Sequence, residues 1–140
     1  LGRGRHVLDE QDVDIPAMGN WLAASYGDRY CPVAFETGAG RVAAKDFTAG
    51  TVEEYPIPDP PSTSIPAVFR QVEEPVFAVS VEALYDDSSI REWLKTQPRR
   101  HNIWGGTPDG DNPVKYLPSD LSEFDWLLFV RETSPLVHLD

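Results

Sequence analysis

SEFDWLLFVRETS, residues 122–134, contains the most apolar run in the chain, Trp126 to Val130. A short continuous apolar run bounded by turn residues is the pattern of a strand buried on both faces. We read it as a central strand and look for its neighbours in runs of the same kind. The segment YCPVAFETG reads as an apolar run bounded by turn residues and predicts a strand over 30–37. PVFAVSVEAL, residues 75–84, is rich in Val and Phe and opens on a proline, as a buried strand can.

Helical signals alternate with these runs. Over 16–27, Pro16 takes a first-turn position, Met18, Trp21, Leu22 and Ser25 or Tyr26 recur at helical spacing, and Gly27 stands just past the end. SIPAVFRQV predicts a short helix capped by Ser64 and ending near residue 73. SSIREWLKT predicts another, capped by Ser88 or Ser89, with Glu92 at capping-box spacing from Ser89 and an apolar face of Ile90, Trp93 and Leu94. RVAAKDF and TVEEYPI, joined by TAG, read as shorter strands and a hairpin. The proline cluster at 56–66 is a rigid exposed connection. Residues 97–117, dense in Gly, Pro, Asn and Asp, predict a long irregular segment of the kind that carries function. The alternation predicts an α/β fold over residues 1–140 as one unit. Its sheet is mainly parallel or mixed and flanked by helices on both faces, with long irregular loops.

Composition narrows the function. With 12 basic against 23 acidic side chains and a net charge of -11, the chain offers no counterion-release term for a phosphate backbone, so nucleic acid is not an expected partner. No apolar run approaches bilayer length, and LGRGRHVLDEQ has no apolar segment behind its charges. The default is a cytoplasmic protein without a membrane partner. A chain opening on Leu1 rather than Met reads as a processed form or a piece of a longer polypeptide. The lone cysteine, Cys31, reads as a small buried hydrophobe.

Phosphate-loop, paired-cysteine, HExxH and GxSxG motifs are absent, and ETGAGR lacks the following Lys-Ser or Lys-Thr of a phosphate loop. No metal site or cofactor is expected. Of the three histidines, His138 belongs to the chain end. His101, in RRHNIW, reads as a solvated loop histidine, with lining a cleft as the alternative. On composition alone, His6 is a histidine near a terminus.

A resemblance gives His6 more weight. HV, MGNWLAASYGDRYCPVAFETGAG, SVEAL, REWL and FDWLLFVRETSPLVHL occur in an order that resembles the C-terminal portion of erythromycin esterase-like proteins. Phe124, Asp125 and Leu127 match the closing strand of that family, and Val33 to Thr37 match an earlier one. The resemblance implies an esterase that opens an ester or macrolide lactone without a metal, using a histidine to activate water. An imidazole titrating near neutrality suits that task. It also implies that the principal base and its partner acid lie in a longer N-terminal portion, so this chain alone would be inactive and would self-associate or pair with that portion. By position His6 matches the second histidine of a His-Asn-x-His pattern and is the candidate catalytic residue, although Arg3 and Gly4 stand where the first His and the Asn belong. Trp104 and Tyr116 are the candidate substrate contacts. A small-molecule ester or macrolide-like substrate is the expected ligand. The alternative is a degenerate, non-catalytic binding module of the same fold.

Overall fold

The computed structural model describes residues 18–107 and 111–135. The apolar run from Trp126 forms β7 (Trp126–Thr133), which lies inside a mixed sheet. On one side it pairs in parallel with β1 (Val33–Asp46), in a register from Val33 opposite Trp126 to Gly40 opposite Thr133. On the other it pairs antiparallel with β3 (Val76–Ser80), Phe77 standing opposite Phe129. β2 (Val52–Pro56) extends the sheet antiparallel beyond β1, giving the order β2-β1-β7-β3. The mixed alternative is therefore the observed one.

β1 is longer than its sequence suggested, because the ETGAG glycines do not end it. Gly40 has φ +117, and a side-chain carbon there would run into the Thr133 carbonyl, so glycine lets the two backbones close together while the strand continues. The second half of β1 then turns into the expected hairpin. Asp46 Oδ1 accepts from the backbone N–H of Thr48 at 2.8 Å and of Ala49 at 2.9 Å, and Gly50 supplies a positive φ.

Three helices cover one face of the sheet. α2 (Ile65–Phe69) starts as predicted at Ser64, whose hydroxyl accepts from Ala67 N, but is shorter than expected. The predicted strand over 75–84 stops at Ser80. There the Ser80 hydroxyl caps α3 (Val81–Asp86), so a local side-chain bond outcompetes strand propensity. α4 (Ser88–Leu94) is capped by Asp87, which accepts from Ser89 N at 2.8 Å and Ile90 N at 3.0 Å; Glu92 pairs with Lys95 instead of closing a capping box. Leu127 and Phe129 of β7, Ala34 of β1 and side chains of α2, α3 and α4 form the buried apolar cluster. Phe69, Phe77 and Phe129 pack within it at ring-centroid separations of 5.2 to 5.7 Å.

The opposite face is not covered among the described residues, contrary to the expectation of helices on both sides. Phe35 is 62% exposed, Val76 57%, Val33 44% and Trp126 43%. α1 (Met18–Tyr26) forms where expected but buries no residue, and Pro16 lies outside the described residues. Cys31 is exposed rather than buried.

The largest departure concerns residues 97–117. In place of an irregular segment, β4 (Arg99–Ile103) and β6 (Val114–Pro118) form a separate antiparallel pair with His101 opposite Tyr116. β5 (Gly106–Thr107) makes a brief parallel pairing with the far end of β1.

Candidate active site

Strand alternation directs Ala34 and Glu36 of β1 to the covered face. A carboxylate there loses its water and must find cations or donors in exchange. Glu36 does so with β4: Arg100 Nε donates to Oε1, and His101 Nδ1 lies 2.7 Å from Oε2. The three side chains are 0%, 14% and 5% exposed for Glu36, Arg100 and His101. The Arg100 guanidinium also sits 4.7 Å above the Phe124 ring and contacts the Phe35 carbonyl at 3.4 Å.

This arrangement orients the imidazole. An ionised carboxylate only accepts, so the Nδ1 facing it carries a proton, and in the neutral ring the lone pair is then on Nε2. His101 thus has the carboxylate-oriented form used wherever a histidine must take a proton in a defined direction. His101 and Arg100 line a cavity of about 600 Å³ together with Ala34, Phe35, Leu117 and Phe124. That volume is in the range of small-molecule sites, and the lining mixes apolar walls with a few convergent polar groups.

The residues singled out from sequence are not gathered in one place. His6 lies outside the described residues. Trp104 follows β4, is half-exposed and donates its backbone N–H to Pro113 O at 3.1 Å. Tyr116 is partly buried and donates its hydroxyl to the Pro58 carbonyl at 2.7 Å. Burial holds the Tyr116 phenol above its ordinary pKa; Arg70 opposes that shift, and Glu36 and Asp59 reinforce it. Neither Trp104 nor Tyr116 is among the cavity's lining residues. His101 is a buried strand residue, not a solvated loop histidine, and it does line the cleft. Among the described residues, no group of three His, Cys, Asp or Glu side chains is placed to hold a metal ion.

A family model described as erythromycin esterase matches residues 3–133. The chain belongs to the erythromycin esterase family. A crystal structure of a protein from Bacillus cereus is similar, with a TM-score of 0.62 at 19% identity, covering 83% of this chain and 28% of that one. A succinoglycan biosynthesis protein matches with a TM-score of 0.60 at 19% identity, covering 83% of this chain and 27% of that one. At this identity the two structures share the fold. This erythromycin esterase family chain therefore spans little more than a quarter of either solved relative. No curated protein matches it. Among the described residues, no helix is long and apolar enough to cross a membrane.

Proposed function

We propose that this chain forms one wall of an esterase-like hydrolase that cleaves an ester or lactone of a macrolide-like small molecule, without a metal or cofactor, in the cytoplasm. The family match over residues 3–133 carries this reading. Ester hydrolysis needs a base for the attacking water, donors for the developing oxyanion and a pocket that limits solvent. The 600 Å³ cavity with an oriented imidazole at its wall supports the pocket and one proton-handling group. The remaining machinery belongs, on this reading, to a longer N-terminal portion, so the chain by itself does not turn over substrate. His6 is its supporting histidine, and Trp104 and Tyr116, which do not line the cavity, would meet only a part of the substrate that extends beyond it.

The exposed Phe35, Val76, Val33 and Trp126 are the surface on which that portion packs. Left uncovered, the same face drives self-association. A second reading, a non-catalytic binding module, is favoured by Arg3 and Gly4 standing in place of the His-Asn pair.

The two are separated by following erythromycin lactone opening by mass spectrometry. The chain alone is expected to be silent, and turnover abolished by His6→Ala would refute that. Mixed with the N-terminal portion of a family member that is itself inactive, the chain restores hydrolysis; binding of the macrolide without hydrolysis would leave the module reading. Light scattering checks the surface, since a monodisperse monomer at high concentration contradicts it.

A further inference from the structure

We infer that Glu36, Arg100 and His101 form a second acid–base site, in which His101 Nε2 takes the proton of a water attacking an ester carbonyl held in the cavity. This deepens the esterase-like reading and rests on it. Three features set the cluster apart from an ordinary internal ion pair. First, its carboxylate is fully buried and bonded through both oxygens, one to Arg100 and one to His101, so the imidazole is oriented from behind. Second, the nitrogen facing that carboxylate is Nδ1, which places the lone pair on Nε2. Third, the histidine is one of the residues lining a space of small-molecule size.

The chemistry follows from that geometry. As the water oxygen bonds to the carbonyl carbon, the carbon–oxygen π pair moves onto the carbonyl oxygen and a water proton passes to Nε2. The resulting imidazolium keeps its Nδ1–H on Glu36, whose negative charge offsets the new positive one. When the tetrahedral centre collapses, the bond to the ester oxygen breaks and the departing alkoxide takes the proton from Nε2. The products are a carboxylic acid and an alcohol, and the imidazole returns to its starting form. Glu36 and Arg100 are positioning residues in this scheme. The Arg100 guanidinium, fixed over Phe124, holds one carboxylate oxygen so that the other stays aimed at His101.

The test uses the chain itself. Nitrogen-15 histidine spectra, with His101 assigned by its loss in His101→Gln, are expected to show the Nδ1–H tautomer. Diethyl pyrocarbonate then reports whether a carbonyl carbon reaches Nε2: the lone pair attacks, ethyl carbonate departs, and peptide mass spectrometry locates the adduct. His101 is expected to react in the folded chain. In Glu36→Gln the amide donates to Nδ1, the proton moves to Nε2, and the rate at His101 falls by about tenfold or more, because the lone pair no longer stands on the nitrogen that reacts. An Nε2–H tautomer in the unmutated chain overturns the proposal. So does a His101 that is modified only after unfolding in urea. Both measurements stand even if Glu36→Gln unfolds the protein, since neither uses that variant. Either result leaves the esterase-like reading intact, because that reading is tested by turnover of the reconstituted protein. In that protein His101→Gln lowers kcat about a hundredfold with little change in KM, and an unchanged kcat overturns the proton-accepting role of His101 alone.

Discussion

Replacing Glu36 by Gln preserves volume and removes one charge, so its cost measures what the carboxylate does for its two partners. In the folded protein Glu36 is fully buried, and Arg100 and His101 are 14% and 5% exposed, so little water is available to replace it. Breaking a buried ion pair on one side typically costs about 3–5 kcal/mol, because the remaining charge is stranded. The Gln carbonyl can still accept from Arg100, which puts the expected loss near the lower end, about 3 kcal/mol. For a chain of 140 residues, each kcal/mol moves Tm by about 2–4 °C, so a fall of about 6–12 °C is expected by circular dichroism. The same argument predicts non-additivity. In urea unfolding, Arg100→Met combined with Glu36→Gln should cost about 1–2 kcal/mol less than the sum of the single variants, since the second change removes the charge stranded by the first. A Tm shift below about 2 °C, together with additive single and double variants, would refute the claim that the charges are paired in a dry site.

Two further outcomes test other parts of the structure. Gly40→Ala forces a side chain into the Thr133 carbonyl at φ +117 and should cost at least about 2 kcal/mol, and an unchanged urea midpoint would show that β1 and β7 do not meet in this register. Tyr116→Phe should weaken the protein by about 1 kcal/mol near neutrality through the lost bond to Pro58. It should also flatten the alkaline limb of stability. A phenol whose folded pKa is raised contributes stability that is fully present below about pH 10 and lost as pH climbs through the folded value. Tyr55 and Tyr85 are shifted the same way, so the Tm decline above about pH 10 becomes shallower without disappearing. An identical slope in the variant would contradict the burial of Tyr116.

The apolar runs were legible because burial and hydropathy agree in them: Leu127 and Phe129 belong to the core, as the sequence of β7 suggested. Strand ends were less legible because they are set by single polar atoms. Ser80 converts the tail of an apolar run into a helix, and Asp87 takes the cap position assigned to a serine. β4 was hidden for another reason. In RRHNI the inward position is held by His101 rather than by an aliphatic residue, so hydropathy carries no alternation there. One signal was available. A single acid inside the apolar run VAFET requires a cationic partner, and Arg99 and Arg100, next to His101, are a dense enough basic pair to supply it. Hydropathy did not show which face of the sheet is uncovered, since Phe35 and Trp126 have the same hydropathy whether a partner covers them or not; only the resemblance to a longer family implied an apolar surface left for pairing.

Stability alone does not account for the choice of residues at Glu36, Arg100 and His101. β1 belongs to the mixed sheet and β4 to the two-stranded one, so the cluster ties two separately bonded sheets together. An apolar trio of similar volume would tie them at least as well, because buried ion clusters are commonly matched or exceeded by packed hydrophobic side chains. What an apolar trio could not supply is a direction. Glu36 orients the His101 ring through Nδ1, and Arg100 holds Glu36, with Arg100 and His101 at the wall of the cavity and Glu36 buried behind them. The same contacts therefore hold the β4–β6 pair against β1 and aim a lone pair, and the second of these requires the residues found there.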